Sequence, residues 1–211
     1  MNNELITKFV KLCLFGLVAV CFINIFSNFM QINLVNDYFV KNLYSEDVFN
    51  VLIEKNDFRV DLINNFYMLF LYPSFFLIGR WFYVCAKINH ISRKEELKFS
   101  PGWSVGWYFI PFANLVMPYR SLKETYKASF KSENWQSIKI PYDFPVWWST
   151  WLLGNWFDWF IFKMLMGDVN TYSELNQISY IEICSNVFLI VNSFFLIRIM
   201  NVVCSNQIEN D

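Results

Sequence analysis

Four long apolar blocks, separated by shorter polar stretches, limit what this chain can fold into more than any other feature does. The blocks cover about 9–30, 62–86, 146–166 and 179–203. At a rise of about 1.5 Å per residue, a helix of each length can cross roughly 30 Å of hydrocarbon. The sequence therefore predicts an all-α integral membrane protein with four transmembrane helices.

Composition supports this class and argues against others. Of the 211 residues, 55% are hydrophobic, which exceeds the usual share of soluble domains. The net charge of −1, with aromatic residues inside apolar runs and not among lysines, argues against nucleic-acid binding. The five cysteines fall in or beside apolar blocks and form no CxxC pair, so we expect buried thiols.

A fifth apolar segment, 101–119, carries basic residues on both flanks and contains Pro111 and Pro118. Because cytoplasmic loops collect Lys and Arg, a crossing here would leave one basic cluster outside. We predict a proline-broken re-entrant or interfacial segment, with a fifth span as the alternative. Asn114 would offer hydrogen bonds to backbone groups that the prolines free. The flanking bases are Lys87, Arg93, Lys94 and Lys98, then Arg120, Lys123, Lys127, Lys131 and Lys139.

The polar segment 31–61 is predicted to be an outer loop. It holds six acidic and three basic residues, a net charge of −3, which suits the non-cytoplasmic side. Ser45, just before Glu46, is placed to cap a helix, so one or two short helices are expected on the outer surface. A later short loop with Asp168 and Glu174 and no base also suits the outside. Both termini are then cytoplasmic.

Residues 121–131 are predicted to form a basic amphipathic helix on the cytoplasmic side. Three apolar and three basic side chains each recur every fourth residue, which places each set on one helix face. The basic face suits anionic headgroups of an inner leaflet, and a solvated helix of the bundle is an equally open interpretation. The two sets are Leu122, Tyr126 and Phe130, and Lys123, Lys127 and Lys131.

Five charged residues lie within the apolar blocks, where an isolated charge is expensive. Lys163 and Glu182 stand near the facing ends of two antiparallel spans, so an ion pair is predicted between them. Arg80 and Arg198 lie near inner ends and can extend to the headgroups. Asp158 remains near mid-depth, without an obvious basic partner at its own level.

Asp158 is therefore the best functional candidate in the chain. Its expected polar neighbours are Asn155, one turn earlier, and Asn192 on the last span. A structural aspartate, held by Arg80 or by these amides or simply protonated, is one interpretation. A proton- or cation-linked role is the other.

Enzyme motifs are weak. Residues 102–106 match the G-x-S-x-G pattern around Ser104, but a nucleophile elbow needs a later histidine, and the single histidine, His90, comes earlier. No clustered cysteines or carboxylates suit a tetrahedral metal site, and no glycine loop suits a phosphate. We expect no enzymatic activity, no metal and no cofactor.

The run from Phe99 to Ser129, FSPGWSVGWYFIPFANLVMPYRSLKETYKAS, resembles the signature of a bacterial membrane family, domain of unknown function 4328 (DUF4328). The preceding Trp81-Phe82-Tyr83…Asn89 stretch and the later Trp147-Trp148 pair are similar to further parts of that signature. Val84 stands where an arginine is usual. The resemblance covers roughly 66–153 and implies a multi-pass protein of the bacterial inner membrane with no established activity or cofactor.

These features favour a non-enzymatic interaction or regulatory component of the membrane, with 87–99 and 121–131 as its cytoplasmic face. The expected partners are the lipid bilayer with its anionic headgroups and a second copy or another membrane protein. The alternative is a small transporter or channel component that uses segment 101–119 and Asp158. Broken apolar segments line transporter sites, and they also serve as structural wedges.

Overall fold

The computed structural model describes residues 3–93, 96–167 and 171–208, and this part of the chain contains helices and turns but no strand. The all-α prediction is confirmed for it. Lys94 and Asp168, used above for topology, lie outside the described residues. The α-helices are α1 (Asn3–Phe39), α2 (Glu46–Arg93), α3 (Trp103–Gly106), α4 (Met117–Ala128), α5 (Asp143–Leu165) and α6 (Tyr172–Ile208).

Three helices, α1, α2 and α6, are long and apolar enough to cross a membrane. They contain 37, 48 and 37 residues, well above the roughly 20 that a crossing needs. The fourth long helix, α5, has 23 residues and is long enough. It is not among the helices that are apolar enough to be candidate spans, and it contains five tryptophans together with Asn155 and Asp158.

The prediction of a polar loop over 31–61 is wrong. Helix α1 continues to Phe39 and α2 begins at Glu46, so the connection between them is confined to 40–45. The predicted helix start after Ser45 is confirmed, and the backbone N–H of Phe49 donates to the Ser45 carbonyl at 2.9 Å.

Polar contacts between α1 and α2 explain why helix replaces loop here. The Arg59 guanidinium donates to the Ser27 hydroxyl and to the Ser27 carbonyl, each at 3.0 Å. One turn away, the Asn56 amide donates to the Gln31 side-chain oxygen at 3.1 Å. The polar residues that suggested a loop thus bind the two helices together beyond their apolar stretches.

The described residues fall into two compact units. One comprises those of Met1–Phe15, Leu71–Ser149 and Asn192–Asp211, and the other those of Gly16–Phe70 and Thr150–Val191. Each unit has its own apolar core. Fully buried side chains of the first include Ile6, Trp81, Leu122, Phe144 and Met200, and those of the second include Leu17, Cys21 and Val35.

Segment 101–119 is not a continuous helix. After α3 come two 3-10 turns, Trp107–Phe109 and Ala113–Leu115, and then α4. Between the turns Phe112 adopts a positive φ of 63°, which is unusual for a bulky residue. The break that Pro111 predicts is therefore present, since proline has no N–H to continue a helix.

The amphipathic helix is shifted from its predicted position of 121–131. Helix α4 begins at Met117, with Pro118 in its first turn, and ends at Ala128. Proline is well suited to a first helical turn, where its missing N–H has no partner to lose. Lys131 consequently lies beyond the helix end.

Candidate functional site

A buried polar face of α2 is the starting point of the site. Trp81, Cys85 and Asn89 recur every fourth residue and so share one side of the helix. Their exposed fractions are 0%, 0% and 3%. Buried polar groups need partners, and these residues find them on three other helices.

Helix α1 supplies the first partners. The Trp81 indole N–H donates to the Thr7 hydroxyl oxygen at 3.0 Å. The Thr7 hydroxyl in turn donates to the Asn3 carbonyl at 2.8 Å. The first turns of α1 are thereby tied to Trp81 of α2.

Helix α6 supplies Gln207, which is 2% exposed. Its amide nitrogen donates to the Cys85 carbonyl at 2.9 Å and to the Asn89 side-chain oxygen at 2.8 Å. Its side-chain oxygen accepts from the Asn3 amide at 2.7 Å. The Asn89 amide then donates to the Thr125 carbonyl of α4 at 2.8 Å.

Together Asn3, Thr7, Trp81, Asn89 and Gln207 form what we call the amide cluster, which joins α1, α2, α4 and α6. Its amides, indole and hydroxyl donate to one another or to backbone carbonyls, and none is an acid or base near neutral pH. A connected buried network of this kind fixes helix positions rather than carrying out proton transfer.

Sequence reasoning noted Trp81 and Asn89 only as part of a family resemblance and missed Asn3, Thr7 and Gln207. Asn3 and Gln207 are separated by 204 positions. The available signal was local: Asn3 and Thr7 lie on a helix face that otherwise carries the apolar Ile6, Val10 and Leu14.

The connection after α2 is held against α4 by side-chain hydrogen bonds. The Glu124 carboxylate accepts the backbone N–H groups of Lys98 and Phe99 at 2.9 and 3.0 Å. The ring nitrogen Nε2 of His90 lies 2.8 Å from the Phe99 carbonyl. The single histidine is thus engaged with this connection.

The chain that follows α4 is held in a similar way by Arg93. Its guanidinium donates to the carbonyls of Phe130 and Ser132, each at 3.1 Å. The guanidinium carbon also lies 5.9 Å from the centre of the buried Trp135 ring. Both sides of the broken segment are therefore fastened to the end of α2.

Within the broken segment, Ser104 is buried and its hydroxyl donates to the Pro101 carbonyl at 2.6 Å. The Trp148 indole N–H of α5 donates to the Leu115 carbonyl at 3.1 Å. Asn114 does not act as the expected acceptor, because its enclosed side-chain oxygen has no hydrogen-bond partner among the described residues.

Asp158 lies on an exposed part of α5 and accepts a hydrogen bond from the Ser185 hydroxyl of α6. The amides expected beside it are used elsewhere. Asn155 donates to the Trp151 carbonyl of its own helix at 2.6 Å. Asn192 donates to the Trp147 carbonyl at 2.7 Å.

The predicted Lys163–Glu182 ion pair is absent from the described part of the chain. Lys163 instead places its ammonium 5.6 Å from the centre of the Trp159 ring, one turn earlier. Glu182 lies near the buried Asn28 of α1. Local partners on the same helix or a neighbouring one thus replace the predicted pair.

The two arginines within the apolar blocks, Arg80 and Arg198, differ in their contacts. Arg80 is exposed, with its guanidinium carbon 5.5 Å from the Tyr83 ring centre. Arg198 instead pairs with the buried Asp143 at the start of α5, Nε to Oδ2 3.3 Å. Burial, and secondarily the Asp143 charge, raise the pKa of the nearby Tyr126 phenol. Sequence reasoning missed this pair because Asp143 lies outside the apolar blocks.

The three lysines proposed to face lipid have different surroundings. Lys123 is half-buried. Lys127 is also half-buried, and its ammonium donates to the Gln136 carbonyl at 2.6 Å. Lys131 is exposed beyond the end of α4.

Neither metal ligation nor disulfide formation marks a site in the described part of the chain. No group of three or more His, Cys, Asp and Glu side chains there is placed to hold a metal ion. All five cysteines are free, and Cys21, Cys85 and Cys204 are buried.

Long apolar helices joined by a buried polar network define this molecule as a helical membrane protein. The chain belongs to the DUF4328 family, whose model, described as a domain of unknown function, matches residues 46–204. The resemblance noted in the sequence is thereby confirmed, over a longer stretch than its motifs cover. No curated protein and no solved structure matches the chain.

Proposed function

We propose that this protein is a non-enzymatic component of a bacterial inner membrane that acts through interaction or regulation. In this proposal α1, α2, α5 and α6 each cross the bilayer and both termini are cytoplasmic. The membrane face of α5 supports its inclusion as a span. Its Trp156, Trp159 and Phe162 side chains are 56%, 56% and 58% exposed, an arrangement suited to lipid and unfavourable in water.

The observation that carries the proposal is the folding back of segment 101–119. Its first helix, α3, contacts α4, so the two ends of the segment lie side by side. Phe109 and Phe112 near its turn are 80% and 87% exposed. An apolar tip between two basic flanks suits a segment that enters the bilayer from the cytoplasmic side and returns there.

The proposed cytoplasmic face consists of the 87–99 connection and α4 with the residues that follow it. Glu124, His90 and Arg93 hold these two pieces together, as described above. Lys123 and Lys131 remain near the proposed membrane surface, where anionic headgroups attract basic residues. A basic face beside a membrane suits docking of lipid or of a partner, and its described residues show no arrangement of groups that suits catalysis.

Thiol labelling tests this topology. We expect Lys41→Cys, in the α1–α2 connection, to react with a membrane-impermeant maleimide added outside intact cells. Lys131→Cys is expected to react only after the cells are permeabilised. Both side chains are exposed, so accessibility depends on the side of the membrane. The two variants serve as controls for each other in a background without the native cysteines.

Labelling of Lys131→Cys from outside would overturn the proposed topology. It would mean that segment 101–119, or another helix assigned as a span, crosses differently. Failure of Lys41→Cys to react before permeabilisation, together with reaction afterwards, would invert the orientation.

A small transporter or channel component is the second candidate, and the surroundings of Asp158 favour it. Asp158 and Glu182 lie in apolar helices and neither forms an ion pair with a basic side chain in the described part of the chain. The Ser185 hydroxyl donates a hydrogen bond to Asp158, and the neutral Asn28 lies near Glu182. Carboxylates with neutral partners inside a membrane are suited to carrying a proton or a cation.

Asp158→Asn separates the two candidates. For the leading proposal we expect ion or proton flux of the protein in sealed vesicles to equal that of protein-free vesicles, before and after the substitution. A flux that the wild-type protein supports, and that Asp158→Asn abolishes at equal protein level, would establish the second candidate instead. Ser173→Ala, on an exposed part of α6, is the control substitution.

A further inference from the structure

We propose that one face of α5 is the interface through which two copies of this chain pair within the membrane. The face, called here the α5 stripe, consists of Asn155, Trp159, Phe162 and Met166. The proposal rests on α5 being a span, as argued above, and it names the partner of that span as a second copy of the chain.

The spacing of the stripe is that of a helix-pairing seam. Its four positions follow one another at intervals of four, three and four residues, which is the spacing of a and d positions in a heptad. Trp159, Phe162 and Met166 are 56%, 58% and 74% exposed, and Asn155 is exposed as well. Met166 continues the last turn, since its N–H donates to the Phe162 carbonyl at 3.0 Å.

A different side of α5 packs within its own unit. The Phe157 ring stacks on Phe188 of α6 with ring centres 5.5 Å apart. Gly154 also faces Phe188, because a Cβ built on it would lie 3.8 Å from the Phe188 Cβ. The stripe is thus free of the helix contact that α5 makes through Gly154 and Phe157.

Asn155 indicates what should cover the stripe. Its amide nitrogen donates one hydrogen to the Trp151 carbonyl, and its side-chain oxygen has no hydrogen-bond partner in the described part of α5 and its surroundings. Within the predicted span of 146–166, this amide lies near the middle of the bilayer. Hydrocarbon offers it neither a donor nor an acceptor, so leaving it there is costly.

A second copy meets this need better than lipid does. A primary amide carries both donor hydrogens and an acceptor oxygen, so it is complementary to itself. In a pair of parallel helices related by a twofold axis, each Asn155 faces its own copy at the same depth. Single asparagines in apolar seams are well-known determinants of such pairing.

Cysteine cross-linking in native membranes tests the pairing. Asn155→Cys and Phe162→Cys are introduced singly into the full chain, with the five native cysteines replaced. We expect copper phenanthroline to convert both variants into disulfide-linked dimers. Leu153→Cys and Phe160→Cys are the controls, since these residues are 43% and 40% exposed but lie on the other side of α5. We expect little dimer from them.

A second measurement uses a variant that lacks only the Asn155 amide. Asn155→Leu, with the native cysteines present, is expected to weaken the dimer about fivefold in lipid nanodiscs, the order of magnitude of one interhelical hydrogen bond in a membrane. Leu153→Ala is the matched control and should leave the dimer unchanged.

Three outcomes would overturn the pairing. They are equal cross-linking on both sides of α5, wild-type protein that is monomeric in nanodiscs, and cross-links that join the stripe only to a different protein. Reaction of Asn155→Cys with an impermeant maleimide is measured in parallel. If it reacts, α5 is not a span and the proposed topology fails too. If it is protected but not cross-linked, the topology stands and only the pairing fails.

Discussion

Replacing Asn89 by leucine is expected to lower the free energy of unfolding by about 1–3 kcal/mol, the cost of leaving a buried hydrogen-bonding group without its partner. The Asn89 side chain is 3% exposed and bonds both Gln207 and the Thr125 carbonyl. Leucine has a similar volume but neither donates nor accepts, so the Gln207 amide loses a partner in a place that water does not reach. Thermal unfolding of the detergent-solubilised protein measures the change.

Asn201→Leu is the control for this substitution, because Asn201 lies on an exposed part of the same helix as Gln207. Its unfolding midpoint should stay close to that of the wild type. Equal midpoints for Asn89→Leu and Asn201→Leu would show that the amide cluster does not stabilise the helices. A double substitution of Asn89 and Gln207 by leucine should cost less than the sum of the two single changes, since neither residue then leaves the other unpaired.

Gly16→Ala is expected to destabilise the protein by about 1–3 kcal/mol, the usual cost of overpacking. A Cβ at position 16 of α1 would lie 2.3 Å from Cε1 of the Phe70 ring, well inside van der Waals contact. The Phe70 ring, or the backbones of α1 and α2, would have to move apart to admit one methyl group. Unfolding in increasing dodecyl sulfate, followed by tryptophan fluorescence, reports the effect.

Gly79→Ala is the matched control, because the nearest atom to its added Cβ is Cγ1 of Val105 at 3.6 Å. Alanine favours the helix more than glycine does, so this variant should be as stable as the wild type or slightly more stable. Phe70→Leu should partly restore Gly16→Ala by shortening the obstructing ring. If both glycine variants unfold at the same detergent concentration, the close approach of α1 and α2 is not limiting.

The residues that carry the family resemblance hold helices in place in this chain. Trp81 bonds to α1, Asn89 bonds to α4, and Trp148 bonds to the Leu115 carbonyl in the broken segment. Each of these is a hydrogen bond between elements, made by a buried or half-buried side chain. In this chain Asn89 and Trp148 thus fasten segment 99–131 to the long helices.

Apolar periodicity was sufficient to predict the long helices and insufficient to predict their ends. Residues 31–61 are polar enough for a loop, yet Arg59 and Asn56 use that polarity to join α2 to Ser27 and Gln31 of α1. The same difficulty affected the charged residues. Lys163 and Glu182 are well placed in sequence for a pair, but Lys163 lies against the Trp159 ring and Glu182 lies near Asn28.

By itself the sequence determined three features of this protein: long apolar helices, a proline break in segment 101–119, and membership of a membrane-protein family. These follow from local properties, since hydrophobicity, helix length and the missing N–H of proline act within a few neighbouring residues. Only the tertiary structure decided that Gln207 forms hydrogen bonds with both Asn3 and Asn89, and that Arg198 pairs with Asp143. Such contacts join distant parts of the chain, and a buried polar group accepts whichever partner the packing of the helices brings within hydrogen-bond distance.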